Sequence, residues 1–136
     1  MEEQTKKLQY SQYEEDSILE KIFEIIKGNK WCVEFGAYDG KHLSNTRNLI
    51  VNHGWNAVLI EADLKRFKKL SEIYKENDKV DCLNKFVDFE GEDNLDSILK
   101  NTKTPKDFDL LSIDVDGNDY YLWDSLKTYE PKVVVV

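Results

Sequence analysis

Short apolar runs alternate with helical patterns along most of this chain, and that alternation is the strongest constraint on its fold. The apolar runs lie at residues 31–35, 57–60, about 80–87, 108–115 and 132–136. They are mostly apolar rather than apolar at every second residue, which is typical of strands covered on both faces of a parallel sheet. The sequence therefore predicts an α/β fold: a Rossmann-like, doubly wound, mostly parallel sheet with helices on both faces.

Helical patterns fill the segments between these runs. Apolar residues recur at helical spacing from Ile18 to Ile26, and Ser11 and Glu14 ahead of them have the spacing of a capping box. Further helices are predicted near residues 43–51, 64–74, 95–99 and 120–126. No linker or repeat divides the chain, so we expect one domain over residues 1–136, with an N-terminal helical segment (1–28) and an α/β core (29–136).

The charge balance narrows the classes of partner. Lys and Arg number 19 against 27 Asp and Glu, for a net charge of -8, and no basic stripe is present of the kind that neutralises nucleic-acid phosphates. No apolar stretch approaches the roughly 20 residues that cross a bilayer, and the charged N-terminus is followed by no export signal. We expect a cytoplasmic protein that binds neither nucleic acid nor a membrane.

Cysteines and histidines give no sign of a metal site. Cys32 and Cys82 each lie inside an apolar run, which indicates reduced thiols in the core. His42 and His53 have no partner at zinc-binding spacing, so no metal is predicted.

The segment from Glu34 to Gly40, Glu-Phe-Gly-Ala-Tyr-Asp-Gly, connects the first strand to a helix. Its glycines, Gly36 among them, let backbone N–H groups and a helix N-terminus approach a polar ligand. About twenty residues further on, Glu61 ends the second strand, where a carboxylate can bind both hydroxyls of a ribose. The alternative is a strand-to-helix turn whose glycines are purely structural.

The glycine spacing also discriminates between nucleotides. Dinucleotide sites use G-x-G-x-x-G, whereas this loop reads E-x-G-x-x-x-G and lacks the close glycine pair that admits a pyrophosphate. This favours an adenosine ligand without a diphosphate, of which S-adenosylmethionine is the common one. Glu34 is then placed to face the ligand's cationic amino group.

These segments resemble the class I S-adenosylmethionine-dependent methyltransferases and, within them, an FkbM-like group. The matching stretches span nearly the whole chain: SQYEEDSIL (11–19), VEFGAYDGKHLSNT (33–46), Gly54-Trp55, LIEAD (59–63) and DLLSIDVDGND (109–119). The sequence departs from the family's opening motif at Glu14 and Ser17, where glycines are usual.

The resemblance implies roles for individual residues. The cofactor's methionine part and ribose would be held by the first loop, that is by Glu34, Gly36, Ala37, Asp39 and Gly40. The adenosine would meet Glu61, Ala62, Asp63, Asp88 and Phe89. Asp114, at the end of the fourth strand, would lie near the methyl group and the acceptor, and we expect it to act as base or orienting group with help from Asp116 or His42. For His42 a solvent-facing position on a helix is the alternative.

The run from Asp114 to Asp119 also resembles the start of an EF-hand loop. Asp119 stands where that loop needs glycine, and Ser125 where it needs a bidentate glutamate, so the sequence argues against calcium sensing. Its carboxylates remain able to hold a divalent ion beside an acceptor. Asn118 or Asp119 is expected to cap the next helix.

Two further surfaces are left open by the sequence. A basic cluster on the third predicted helix (Lys65, Arg66, Lys68, Lys69) is interpreted as a solvated face opposite a buried stripe of Leu64, Phe67 and Leu70. An aromatic group (Tyr120, Tyr121, Trp123) either packs against the sheet or walls an acceptor pocket.

The leading hypothesis is methyl transfer from S-adenosylmethionine to oxygen of a small or glycan-type acceptor. The alternatives are a non-catalytic or truncated nucleoside-binding domain and, less favoured, a nucleotide-dependent oxidoreductase. The family's sheet continues with two antiparallel strands that we expect this chain to lack. Residues 133–136 would then lie at an uncovered edge, which favours pairing with another copy or aggregation.

Overall fold

A computed structural model describes residues 14–37, 40, 44–88, 91–114, 117 and 119–136. Its five strands are β1 Trp31–Phe35, β2 Asn56–Ile60, β3 Val80–Leu83, β4 Leu110–Ile113 and β5 Val133–Val135. They form one sheet in the order β3-β2-β1-β4-β5, and every pairing is parallel. The predicted doubly wound α/β architecture is confirmed.

Helix α1, Glu15–Ile25, precedes β1. The helices between the strands are α2 Arg47–His53, α3 Leu64–Tyr74, α4 Leu95–Lys100 and α5 Asp119–Asp124, with a 3₁₀ turn at Gly91–Asp93. Side-chain caps begin two of them: Asp63 accepts a hydrogen bond from the N–H of Arg66 in α3, and Asn94 accepts one from Ser97 in α4. The predicted capping box of α1 is wrong: Ser11 lies outside the described residues, and the N-cap of α1 is Glu14, which has a φ of 66° and forms no side-chain cap hydrogen bond.

Two apolar layers cover the sheet. On one face α1, α2 and α3 pack against it through residues such as Leu19, Leu49 and Leu70. On the other face α4 and α5 contribute Leu99 and Leu122. Because parallel crossovers are right-handed, the chain covers opposite faces when it runs outward from β1 to β3 and when it returns through β4 to β5. In sheets with such a reversal, ligands usually bind beyond the carboxyl ends of the two strands where the order reverses, here β1 and β4; we call this position the crevice.

Some predicted boundaries and faces were wrong. β3 ends at Leu83 rather than near Val87 because the chain leaves the sheet there, and Phe86 is 72% exposed. Leu64, predicted in the buried stripe of α3, is 55% exposed: it opens the helix directly after its cap, at the sheet's edge rather than over its surface. Leu70 does lie in the core, as predicted.

Two other expectations concern the thiols and the membrane. Cys32 and Cys82 are both free thiols, as predicted, with Cys32 fully buried and Cys82 partly so. In the part of the chain that the structure describes, the helices lack the combination of length and apolar character that a bilayer crossing requires.

Candidate functional site

The strand register brings four residues into one row at the carboxyl edge of the sheet. Phe35 of β1 pairs with Ile60 of β2 and with Ile113 of β4, and Ile60 pairs with Leu83 of β3. The residues that follow these four are Gly36, Glu61, Asp114 and Asn84. Backbone hydrogen bonds extend the ladder into this row, from Glu61 N to Leu83 O and from Asp114 N to Phe35 O. Two predicted groups of site residues, on the glycine loop and after β4, therefore flank the crevice.

The glycine loop bends from β1 toward β2. Gly36 has a φ of 72°, a conformation that favours glycine. The N–H of Ala37 then donates to Ile60 O at 3.2 Å, and the N–H of Gly40 donates back to Ala37 O at 3.0 Å. The loop thus lies across the carboxyl end of β2, beside Glu61.

Helix α3 fixes the far end of this loop. A Cβ at Gly40 would lie 2.4 Å from Cδ1 of Leu70 and 2.9 Å from Cε2 of Tyr74, so only glycine fits. The Tyr74 hydroxyl donates to Gly40 O at 3.1 Å and accepts from Nη1 of Arg47, also at 3.1 Å. The guanidinium lies 5.6 Å from the centre of the tyrosine ring. Burial raises the pKa of Tyr74 to about 12, against the lowering effect of Arg47.

Glu34 is buried (3% exposed) and its carboxylate accepts four hydrogen bonds from the protein. Oε1 accepts from the N–H of Asn45 at 3.1 Å and from Oγ of Ser112 at 3.2 Å. Oε2 accepts from Oγ1 of Thr46 at 2.6 Å and from Oγ of Ser44 at 3.2 Å. A carboxylate offers about four positions for accepting a hydrogen bond, and donors of the protein itself occupy them in Glu34. Most of these donors belong to the segment that leads into α2. Its predicted contact with a ligand's amino group stays a prediction.

Burial and hydrogen bonding shift the pKa of Glu34 in opposite directions. Burial raises the pKa of Glu34, and the hydrogen bonds from Thr46, Asn45, Ser44 and Ser112 counteract part of that rise. The network continues through Nδ2 of Asn45, which donates to Ser112 Oγ at 3.0 Å. This hydrogen-bond network therefore joins β1, β4 and the residues that lead into α2.

Glu61 lies at the tip of β2 and is 5% exposed. Its Oε1 accepts from the N–H of Asp63 at 3.0 Å, which turns the carboxylate along the chain toward α3. The side chain of Asn84 donates to the carbonyls of Glu61 and Ala62, at 2.9 and 3.1 Å. Asp63 itself caps α3. The structure thus holds Glu61 in the predicted position on the sheet, and ribose binding by it stays a prediction.

The remaining predicted site residues are less closely placed. Asp88 is half-buried and bonds through its N–H to Asp93 O at 2.9 Å, beyond the end of β3. Asp114 is exposed at the end of β4. The predicted residues His42, Asp39, Phe89 and Asp116 lie outside the described residues, and so does Asn118, and their roles stay predictions. Among described positions, His, Cys, Asp and Glu side chains form no group of three suited to a metal ion.

Sequence reasoning missed the partners that hold the loop. Ser44, Asn45 and Thr46 enter the sequence analysis only as part of a family resemblance, and Tyr74 only as the last residue of the helix predicted over 64–74. Ser112 offered a usable signal: it is a lone hydroxyl inside an otherwise apolar, fully buried strand, and a buried hydroxyl requires a hydrogen-bonding partner.

Comparison with known proteins bears on the fold. No protein-family model matches the chain, and no curated protein matches its sequence significantly. Among solved structures, the glycopeptide N-methyltransferase MtfA, complexed with S-adenosyl-L-methionine, aligns with a TM-score of 0.53 and 14% identity over 87% of this chain and 50% of that one. A SAM-dependent methyltransferase from Thiobacillus denitrificans, in complex with S-adenosyl-L-homocysteine, aligns with a TM-score of 0.50 and 12% identity over 90% and 46%.

The chain therefore spans about half the length of these solved structures. At such low identity the likeness is one of fold. The five-stranded parallel sheet matches the Rossmann-like fold of these methyltransferases.

Proposed function

We propose that this chain is an S-adenosylmethionine-dependent methyltransferase of the FkbM-like group. The observation that carries the proposal is the side-by-side placement of Gly36 and Glu61, each following one of two paired residues at the edge where the strand order reverses. A glycine bend beside a buried carboxylate is the arrangement that binds the ribose of a nucleoside.

The described residues fit such a cofactor. Glu61 supplies oxygen acceptors at a site largely removed from water, where hydrogen bonds to ribose hydroxyls are stronger than in solvent. Because Gly36 has no side chain, the backbone at this position can come close to a bound cofactor. The glycine spacing does not favour a diphosphate, and two solved structures of similar fold are described as complexes with S-adenosyl-L-methionine and S-adenosyl-L-homocysteine.

When bound, S-adenosylmethionine supplies a methyl group that its sulfonium makes electrophilic. The residues of the chain bind the cofactor, position an acceptor in line with that methyl group and accept the acceptor's proton. We assign the last task to Asp114, exposed across the crevice from Gly36, with Asp116 or His42 as proposed helpers. A carboxylate that accepts a hydroxyl proton suits an oxygen acceptor, so we propose a small or glycan-type alcohol as substrate.

Calorimetric titration with S-adenosylhomocysteine tests the cofactor assignment. Glu61→Ala should weaken binding by roughly 10- to 100-fold, since unpaired ribose hydroxyls cost about 1–3 kcal/mol. Glu24→Ala, which removes an exposed carboxylate from α1, is the matched control and should bind as the unaltered chain does. An unchanged affinity in Glu61→Ala would refute the placement of that carboxylate.

The competing functions give different results in the same assays. Binding of neither S-adenosylmethionine nor S-adenosylhomocysteine rejects the proposal, and binding of NADH in their place indicates an oxidoreductase. Cofactor binding without transfer of a labelled methyl group to any of a panel of sugars, nucleotide sugars and phenols indicates a non-catalytic nucleoside-binding domain. If transfer occurs, Asp114→Asn should lower the rate without changing S-adenosylhomocysteine affinity.

A further inference from the structure

The outward side of helix α3 carries a regular line of charged residues. The helix packs on the sheet through Leu70 and Tyr74, so positions at helical spacing on its opposite side face solvent. Four side chains at the spacing i, i+4, i+7 and i+11 form the line furthest from the sheet, and all four are exposed: Lys65, Lys69, Glu72 and Glu76. The last of them lies in the turn that follows the helix. We call these four residues the α3 charge stripe.

The stability of α3 does not explain this order of charges. Acidic side chains stabilise the first turn of a helix and basic side chains the last, but over its described length, Leu64–Tyr74, α3 has neither. The stripe has the reverse order, and its two lysines, like its two glutamates, are like-charge neighbours at i, i+4 that repel each other. Glu72 pairs with Lys75 at 2.7 Å, but both side chains are more than half exposed, so this pair contributes little.

The stripe is complementary to a second copy of itself. A two-fold axis perpendicular to α3 and directly after Leu70 places two copies of the helix antiparallel, and each residue faces the one equally distant on the other side of the axis. Lys65 then faces the partner's Glu76. Lys69 likewise faces the partner's Glu72. Because each pair occurs twice in a two-fold contact, the two stripes form four pairs of opposite charge.

An apolar contact accompanies the charges on one flank of the stripe. Ile73 is 40% exposed, and it lines a shallow depression of the surface together with Lys68, Lys69 and Glu72. The two-fold axis keeps both copies of Ile73 on the same flank, about 7.5 Å apart along the helix direction. The stems of the two Lys69 side chains lie between them, and lysine stems cover apolar surface while the ammonium groups stay in water.

The size of this contact makes the association weak. The 11 residues of α3 span only about 16 Å, so one helix pair buries less than the ~1,200 Å² of a stable interface. Two copies with a net charge of -8 each also repel one another. At about 0.1 M salt, where the Debye length is ~10 Å, this long-range repulsion is screened more than the attraction between side chains in contact.

We propose that the α3 charge stripe is the interface of a weak, two-fold symmetric dimer of this chain. The proposal does not depend on the methyltransferase function, because neither a cofactor nor an acceptor takes part. It also differs from pairing through β5, since α3 packs beside β3, at the opposite edge of the sheet.

Sedimentation velocity at increasing concentration tests the proposal. The unaltered chain should form a dimer with a dissociation constant of roughly 100 µM, as befits a contact of this size. Lys65→Glu/Lys69→Glu makes the stripe wholly acidic and Glu72→Lys/Glu76→Lys makes it wholly basic, so dimerisation of each variant alone should weaken by at least ~10-fold. The second variant has a smaller net charge than the unaltered chain, so overall repulsion cannot explain its loss of dimerisation.

Recombining the charges makes the test specific. An equimolar mixture of the two variants should form a heterodimer, because every charge of one stripe then faces an opposite charge on the other. The chain with all four substitutions has the reversed order, two acidic and then two basic residues, and is self-complementary again. It should therefore dimerise about as well as the unaltered chain.

Controls address folding and net charge. The substituted side chains are exposed and the new charges agree with the helix macrodipole, so the variants should keep the far-ultraviolet spectrum of the unaltered chain. Lys100→Glu/Lys103→Glu makes the same change in net charge at exposed positions in and after α4, on the other face of the sheet, and should still dimerise. Ile73→Ala should weaken the dimer by roughly 2- to 5-fold through loss of apolar contact.

Three results would overturn the proposal. One is an unaltered chain that stays monomeric at the highest concentration reached. Another is a dimer that persists in both charge-reversed variants, which would place the contact elsewhere, for example at the edge of β5. The third is dimerisation that both variants lose and that neither the mixture nor the fourfold variant restores, since the stripes then do not face each other.

Discussion

The hydroxyl of Thr46 donates a 2.6 Å hydrogen bond to Oε2 of Glu34, and this contact ties the residue before α2 to the end of β1. Both groups are buried. The contact matters because the glycine loop runs between these two residues: one end is fixed by the sheet and the other by Thr46. Glu34 therefore acts as a positioning residue for the loop in this structure.

Glu34→Ala should be strongly destabilising. It leaves four donors facing a cavity, and an unpaired buried donor costs about 1–3 kcal/mol, so we expect a loss of at least ~3 kcal/mol in the free energy of unfolding. Glu34→Gln should cost much less, because the hydroxyls of Ser44 and Thr46 can rotate to accept from the amide. Urea denaturation of both variants checks the difference, and equal losses would contradict the network described.

The titration of Glu34 gives a separate prediction. Burial raises its pKa in the folded chain, so its contribution to stability is full below the unfolded pKa of about 4.3 and is lost as pH rises through the folded pKa. Glu34→Gln carries no such proton. The free energy of unfolding of the unaltered chain minus that of Glu34→Gln should therefore decrease from pH 4 upward, and a difference that is constant or increases would count against a raised pKa.

Gly40→Ala and Gly91→Ala form a matched pair. Both glycines have nearly the same positive φ, 74° and 76°, but a Cβ at Gly40 would overlap Leu70 and Tyr74, whereas a Cβ at Gly91 meets nothing within 4 Å. Gly91→Ala should cost about 1 kcal/mol of backbone strain, and Gly40→Ala a further ~1–3 kcal/mol of overpacking. Thermal unfolding measures both. Equal costs would show that the close packing of α3 on the loop is absent.

The sequence predicted the order and type of the elements because each depends on local pattern. β1 was placed correctly at Trp31–Phe35, since Lys30 and Gly36 bound a run that is apolar except for Glu34. β3 was extended too far because Val87 continues an apolar pattern that the chain carries out of the sheet. Local pattern thus defines an element better than it defines where the element stops.

The partners of the candidate site depend instead on long-range register. Glu34 contacts Ser112 only because β1 and β4 are neighbours and pair at those two residues. Tyr74 contacts Gly40 although a helix and a strand, α2 and β2, separate them in the sequence. Neither contact leaves a periodic signal in the sequence. Glu61 could be placed because its position follows from the end of a single strand.

Tyr74→Phe should remove the hydrogen bond to the Gly40 carbonyl and lower stability by about 1–2 kcal/mol. The exposed Tyr120→Phe is the control and should change little. Because the pKa of Tyr74 is raised to about 12, its contribution is full below the unfolded pKa of about 10 and is lost as pH rises through about 12. The stability difference between the unaltered chain and Tyr74→Phe should shrink over that interval, and the tyrosinate absorbance that develops near pH 12 should decrease in the variant.

The two thiols should be nearly inert in the folded chain. Burial raises the pKa of Cys82 to about 11. Burial also raises the pKa of Cys32 well above its usual range, and the charges of Glu34 and Asp109 raise it further. At pH 8 only about one Cys82 in a thousand is a thiolate, the form that reacts. A disulfide reagent such as dithionitrobenzoate should therefore label neither residue quickly in buffer and both in urea.

This inertness provides a probe of the glycine loop. The Cys82 thiol lies 4.0 Å from the Leu70 carbonyl, under the same helix that packs on Gly40. If Gly40→Ala loosens α3 from the sheet, Cys82 should be labelled faster in that variant, whereas Gly91→Ala should leave its rate close to that of the unaltered chain. The contrary result is a labelling rate that rises only in proportion to the measured loss of global stability, and rises equally for Cys32. It would show that labelling follows complete unfolding and that α3 and the loop do not move as a local unit.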